Sequence, residues 1–296
     1  TSPISPIYQM KKLYQTWPFN FGAIHKQDFQ KAKVVILPVP YDATDSMVSL
    51  HCGARNGPYA IILSSRFMDE LLEDMSQEKL TGFKSTDIFT LDEVVLSKNS
   101  PKEAIEGVRQ AISNEILRHN KIPLMLGGEH SISLGAVMSL KEKYPDLSVL
   151  QFDAHTDLMR EHESTLFSHA CVMRRIVELG VPIVQIGIRN INTEITDYLK
   201  EKKLKHIYFA PDMPPVSKVL NGLTKNVYLT VDLDVFDPSI MSSVATPEPG
   251  GLGWYEVLKL IEGVGQKKNI VGADVVELSP IPGLEAPNFL AAKLVY

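Results

Sequence analysis

Leu150–Leu158 reads LQFDAHTDL, an apolar, β-prone run that ends in three ionisable side chains, Asp153, His155 and Asp157, at alternate positions. A strand points successive side chains to opposite faces, so positions i, i+2 and i+4 project to one side and can converge on one point. Two carboxylates and an imidazole aimed together suit a hard to borderline divalent cation. A lone D-x-H-x-D is as often a strand running into a polar loop, and two further stretches decide between these readings. KIPLMLGGEHS places His130 just past another apolar strand, and NVYLTVDLDVFDP places Asp232 and Asp234 at i, i+2 within a third. Six potential ligands at the ends of three strand-like runs are a specific signal for a metal centre.

GGEHS (Gly127–Ser131), DAHTD (Asp153–Asp157) and DLDVFDPS (Asp232–Ser239) resemble, in order and spacing, the three signature motifs of the arginase and agmatinase ureohydrolases. The resemblance covers most of the chain and weakens towards its start. It implies two Mn²⁺ per subunit, one held by His130, Asp153, Asp157 and Asp232, the other by His155, Asp153, Asp232 and Asp234, with Asp153 and Asp232 bridging. Four carboxylates offset two divalent cations, so an added hydroxide leaves one net negative charge, which a guanidinium cation neutralises. Mostly oxygen ligands, two imidazoles and no thiolate favour Mn²⁺ over Zn²⁺. Water bridging two cations loses a proton near neutral pH, because metal binding lowers its pKa from about 15.7 toward about 7. That provides the strong nucleophile a resonance-stabilised guanidinium carbon requires. Asp157, a ligand beside it, is the candidate to carry the proton to the leaving amine, giving urea and a primary amine.

The same resemblance extends to the substrate side. Glu277 in GADVVELSP (Gly272–Pro280) matches a D-[VI]-x-E pattern, and a carboxylate there can accept paired hydrogen bonds from a guanidinium. His169 in STLFSHACVMRR lies near the family's mobile acid–base histidine, with His162 the weaker competitor. An isolated histidine is more often structural, and an isolated glutamate at a strand end more often solvated; the setting of these two carries the assignment. Thr246 and Gly250–Gly251 in ATPEPGGL resemble a T-P-x-x-G-G lip, with Ala245 in place of a common glycine. In arginases the loop after the second motif resembles a run of Asn, Thr and Ser that holds the α-carboxylate and α-amino group. Here it reads LMREHESTLFS, with Glu161 and Glu163. Unless both simply face water, carboxylates there repel an α-carboxylate and attract a distal ammonium. The expected substrate is thus a small guanidino compound cationic at both ends, agmatine first, with N1-aminopropylagmatine or arginine as alternatives.

Two other readings compete. A two-metal phosphoesterase needs a cluster of basic groups, and only Arg55 and Arg160 lie near the motifs. An inactive, metal-stabilised interaction protein has no use for an intact ligand set together with Glu277.

The elements that must position these residues follow from composition and pattern. A chain of 296 residues, 44% hydrophobic and 22% charged, can bury a sizeable core, and motifs spread from its middle to its C-terminal third must meet in one domain spanning 1–296. Net charge −5 argues against nucleic acid or an anionic membrane as partner. Two cysteines, Cys52 and Cys171, make no disulfide framework. No apolar run approaches the ~20 residues of a membrane helix, the N-terminus lacks a basic-then-apolar signal pattern, and a cytoplasmic protein is expected. The resemblance implies a homotrimer or homohexamer. Residues 1–32 read as an irregular arm. Continuous apolar runs predict strands at Lys33–Pro40, Asp87–Val95, Lys121–Glu129, Leu147–His155, Val181–Arg189, His206–Phe209, Val227–Phe236 and Asn269–Leu278. Helices are predicted from Pro58, where Ile62 replaces a common arginine, over Lys102–Asn120, from Ser131 and over Pro287–Tyr296. This alternation implies α/β architecture, a three-layer αβα fold with a mainly parallel sheet of about eight strands, which the family resemblance makes arginase-like.

Overall fold

The computed structural model describes residues 17–44, 53–68 and 87–296; the expectations for residues 1–16 and for Cys52 lie outside the described residues. Among these, one sheet holds β1 (Val34–Val39), β2 (Ile88–Thr90), β3 (Ile122–Gly127), β4 (Leu147–Phe152), β5 (Ile183–Ile188), β6 (Ile207–Phe209), β7 (Asn226–Asp232) and β8 (Asn269–Val276). The spatial order is β2-β1-β3-β8-β7-β4-β5-β6, and every neighbouring pair is parallel. Parallel strands are joined by crossovers that cover both faces, so their sequences are continuous apolar runs rather than alternating ones. β4 (LSVLQF) and β5 (IVQIGI) are buried at every residue.

Successive side chains of each strand enter opposite cores. Val35, Leu37 and Val39 of β1 share one cluster with Ile105, Val108 and Val137, while Ile36 shares the other with Ile61 and Ala291. β4 divides in the same way, Leu147 and Val149 to the first and Leu150 and Phe152 to the second. The first core is roofed by α2 (Pro101–Ala111), α3 (Ser133–Lys143), α4 (Val172–Glu178) and α5 (Thr193–Lys202). The second is roofed by α1 (Gly57–Ser65), α6 (Val216–Gly222), α7 (Trp254–Gly265) and α8 (Glu285–Val295). Helix starts are chemically specified: Ser100 accepts from the N–H of Glu103 ahead of Pro101, and Asn192 accepts from that of Ile195.

Some predicted elements change on folding. The Lys102–Asn120 helix keeps Ile105, Val108, Ile112 and Ile116 on its buried face but passes from α2 into a π-turn at Ile112–Ile116 and a 3₁₀ turn at Leu117–His119. β2 is shorter than Asp87–Val95, although the N–H groups of Leu91 and Val94 still donate to Ile36 and Pro38 of β1. Ile62 is 1% exposed inside the second core. Of the arm, Phe21–Ala23 forms a 3₁₀ turn packed on its own domain; Phe21 N–H donates to Thr90 Oγ1 and Gly22 N–H to Ser65 Oγ. No helix among the described residues is long and apolar enough to cross a membrane.

Candidate metal centre

The ligand-bearing strands β3, β4 and β7 lie together with β8 in the order β3-β8-β7-β4, so their C-terminal ends open onto one place, the edge where parallel α/β sheets bind ligands. The expectation that Asp153–His155 and Asp234 lie within strands is corrected. β4 ends at Phe152 and β7 at Asp232, and the later ligands follow in turns. Asp157 adopts a left-handed backbone (φ 52°), and Asp234 sits in the 3₁₀ turn Leu233–Val235, its N–H donating to Asp232 Oδ1 at 2.9 Å. A continuing strand spaces same-face side chains by roughly 6.6 Å. Leaving the strand lets them close on shared points.

His130 Nδ1 stands 3.1 Å from Asp153 Oδ2, 3.0 Å from Asp157 Oδ2 and 3.3 Å from Asp232 Oδ2. His155 Nδ1 stands 2.8 Å from Asp234 Oδ2 and 3.7 Å from Asp153 Oδ1. Two groups result, His130–Asp153–Asp157 and Asp153–His155–Asp234, each with its ligand atoms within 4.8 Å of one another. Asp153 is common to both. Asp232 joins the first group through Oδ2 while its Oδ1 accepts the Asp234 N–H.

This set fits divalent cations. His130 is 1% exposed, and its Nδ1 makes no well-angled hydrogen bond although three carboxylate oxygens surround it. Burial alone would lower its pKa; Asp153, Asp157 and Asp232 nevertheless hold it well above the usual histidine value. Burial and the charge of Asp153 push Asp157 up to about 6. Asp232 is driven well above the carboxylate range by burial and by Asp234 and Asp153. Carboxylates crowded in this way ionise fully only when positive charge is supplied among them.

A cavity above the ligands is lined by His130, His155, Asp157, Asp232, His169, Thr246 and Glu277, together with Thr156, Met159, Ala170, Asn190, Asn192, Ile195 and Ala245. Glu277 also has a left-handed backbone (φ 66°), which turns its carboxylate in from the end of β8; Oε1 accepts the His130 N–H at 2.6 Å. Burial, Asp232 and Glu129 raise its pKa well above the usual range. His169 donates its N–H to Thr44 Oγ1 at 3.1 Å and places Nδ1 3.4 Å from the same oxygen. Thr44 is in turn held by Glu129, which accepts both its hydroxyl and its N–H. Burial, then His162 and His130, push His169 down to about 4. Thr246 Oγ1 lies 3.5 Å from Asp234 Oδ2.

Glu161 and Glu163, expected beside the substrate, are not among the residues that line this cavity. Both are exposed. Glu163 (φ 48°) and Ser164 (φ 63°) form a two-residue reversal in which His162 and Thr165 exchange 3.0 Å N–H···O bonds. The reversal faces the loop outward, and Glu161 borders a separate groove with Arg174, Glu194 and Tyr198. The carboxylate that approaches the site is Glu248, which the sequence reading passed over inside ATPEPGGL. Its Oε1 accepts from Asn190 Nδ2 at 2.6 Å and stands 3.8 Å from His155 Nε2. Its trace in the sequence is a lone charge between two prolines, Pro247 and Pro249. The second feature missed is the Glu129–Thr44 brace behind His169, whose only sequence trace is the acid inside GGEHS. Arg55 is engaged by Asp42 at 2.9 Å, and among the described residues no Lys or Arg lines the cavity.

The arginase family profile matches residues 32–296. An N(1)-aminopropylagmatine ureohydrolase of Thermus thermophilus is 36% identical over 281 residues, 90% of this chain and 89% of its own. An agmatinase of Pyrococcus horikoshii is 30% identical over 270 residues, 91% of this chain and 92% of its own. The crystal structure of an agmatine ureohydrolase of Thermoplasma volcanium matches with a TM-score of 0.79 at 29% identity, covering 96% of this chain and 93% of that one. Motifs that converge at one sheet edge, an eight-stranded parallel sheet in common and a profile match over nearly the whole length agree: the chain belongs to the arginase family and is a ureohydrolase.

Proposed function

We propose that the chain hydrolyses the guanidino group of a substrate cationic at both ends, N1-aminopropylagmatine ahead of agmatine, to urea and the corresponding polyamine, with Mn²⁺ as its metal. The observation that carries this reading is the charge left on the cavity wall once the aspartates are offset by two cations: Glu277 lines it, Glu248 approaches it, and among the described residues no Lys or Arg lines it. Such walls attract ammonium groups and repel an α-carboxylate. Relatives named for N1-aminopropylagmatine at 36% identity, against 30% for an agmatinase, favour the longer substrate.

His130, Asp153, Asp157 and Asp232 would hold one cation, and Asp153, His155 and Asp234 the other. Bound there, two divalent cations turn water into a nucleophile at neutral pH. The chain's own groups supply the rest. Glu277 spends one lone pair on the His130 N–H and keeps its remaining ones for the guanidinium N–H groups, in a site where it is 8% exposed and water competes little. Asp157 is placed to pass a proton to the departing amine. His169, braced by Thr44 and neutral at pH 7, accepts and returns protons at the cavity mouth.

Urea release by the Mn²⁺-loaded chain, compared over N1-aminopropylagmatine, agmatine, guanidinobutyrate and arginine, tests the reading. The amine substrates are expected to exceed arginine by at least ~10²-fold in kcat/KM. Glu248→Gln should narrow that ratio, while Glu161→Gln and Glu163→Gln leave it unchanged. Arginine turned over as fast as the amines would end the proposal. Agmatine outrunning N1-aminopropylagmatine would assign the shorter substrate.

A further inference from the structure

Arg189 follows directly on β5, and its backbone N–H donates to Ala154 O at 2.9 Å, between Asp153 and His155. Its guanidinium spends its N–H groups on carbonyl oxygens. Nη2 donates to Asp234 O at 2.6 Å and Nη1 to Gly187 O at 3.1 Å, with longer contacts of 3.4 Å to Val235 O and Phe236 O. On its other side Nη2 donates to Glu248 O at 2.8 Å, and Nε to Glu248 O and Pro249 O at 3.2 Å each. A guanidinium is a rigid planar fork with five donors, so it can bridge two pieces of backbone that neither Lys nor a neutral side chain could span.

Of the two pieces bridged, the lip depends on the bridge more. It is anchored at Val244, which pairs with Leu278, and at Leu252, which pairs with Phe236. Between these anchors Pro247 and Pro249 have no N–H to give, and among the described residues no backbone-to-backbone hydrogen bond involves 245–250. Side chains hold Glu248 instead: Arg189 grips its carbonyl, and Asn190 Nδ2 donates to its Oε1 at 2.6 Å. The turn Leu233–Val235 keeps bonds of its own, Asp234 N–H to Asp232 Oδ1 and Ala154 N–H to Asp234 Oδ1, each at 2.9 Å. Loss of the clamp therefore frees the lip before it frees a metal ligand. We infer that Arg189 and Asn190 are positioning residues for substrate selectivity, holding Glu248 by its backbone and by its carboxylate so that this charge stands at the edge of the cavity, 3.8 Å from His155 Nε2. The inference rests on the proposed substrate, whose far ammonium that charge attracts.

Arg189→Lys keeps the charge but gathers its donors on one atom, which cannot reach both the turn and the lip. In the Mn²⁺-loaded protein, hydrogen–deuterium exchange at Thr246, Glu248, Gly250 and Gly251 should quicken by about tenfold or more, with β4 and β7 protected as in wild type and bound manganese unchanged. KM for the preferred amine substrate should rise about tenfold with kcat within about threefold, and the amine-to-arginine ratio of kcat/KM should narrow accordingly. Asn190→Ala, which leaves the guanidinium in place, should narrow the ratio as well, and it decides the matter if Arg189→Lys does not fold. In a Glu248→Gln background either substitution should move the ratio by less than about twofold, because both act through that carboxylate. Wild-type exchange and KM in both variants would overturn the inference, as would their full effects persisting in the Glu248→Gln background. Manganese lost from Arg189→Lys would overturn it too, by making the clamp a support of the Asp234 turn. Faster exchange at the lip with a ratio that Glu248→Gln leaves untouched would overturn the selectivity role through the substrate reading beneath it, and leave the clamp itself standing.

Discussion

His169 and the aspartates face one cavity yet answer to different physics. His169 touches no ligand atom in the structure, so His169→Asn should leave manganese content unchanged while lowering kcat by about 10²-fold or less, the scale of acid–base assistance. Metal analysis and steady-state rates on the same preparation check both halves; metal lost with the side chain would place His169 in the coordination sphere. The same residue sets a pH dependence. Its pKa falls from 6.5 to about 4 on folding, so between these values the unfolded chain binds the extra proton and the native one does not. Stability from this group is therefore whole above pH 6.5 and declines as pH drops toward 4. Urea midpoints at pH 7 and pH 5 should draw closer in His169→Asn than in wild type. Asp232→Asn is expected to abolish turnover and reduce bound manganese, since its two oxygens serve His130 and Asp234 separately. The candidate metal ligands were legible because each motif, GGEHS, DAHTD and DLD, is local and dense in chemistry. The carboxylate nearest the cavity, Glu248, was not: Glu163 and Ser164 reverse the chain with left-handed backbones and no Asn-Gly signature, so nothing in LMREHESTLFS announces that its acids face outward.

At the scale of elements, the apolar runs located all eight strands of the described residues, and their ends were the weaker part. VDLDVF stays strand-like in composition after β7 has stopped, because the residues that leave the sheet to hold metal are flanked by Leu233 and Val235, which return to the core. The GG pair after β3 shows the same limit. Two glycines there suggest a left-handed turn, whereas Gly128 serves close approach: a Cβ on it would lie 1.9 Å from the Tyr41 carbonyl oxygen. Its neighbours fix it on both sides, Glu129 N–H donating to Tyr41 O at 2.7 Å and Glu277 N–H to Gly128 O at 2.8 Å. Backbone meets backbone here, with no side chain free to yield. Gly128→Ala should cost about 3 kcal/mol or more and also lower manganese occupancy, because relief requires moving the segments that carry His130 and Glu277. A denaturation midpoint within error of wild type would show the approach to be softer than the geometry indicates.

For the whole molecule, we propose the trimer or pair of trimers that the family resemblance implies. Light scattering is expected to give three or six times the 33.0 kDa chain mass, and a single-chain mass would rule this out. The order of the sheet has a further consequence, for how the protein is made. β1, β2 and β3 pair among themselves, β4 to β7 pair among themselves, and the two blocks meet only through β8, which lies between β3 and β7. Asp153, His155 and Asp234 all hang from the second block, whereas His130 hangs from the first and must cross the seam to reach Asp153 and Asp157. A ribosome delivers β8 after every other strand. The nascent chain can thus assemble one ligand group while still being translated, but the other, together with Glu277, comes into being only when β8 slides between the blocks. The His130 group and the Glu277 carboxylate therefore depend on the last strand of the sheet for their assembly, and the Asp153–His155–Asp234 group does not.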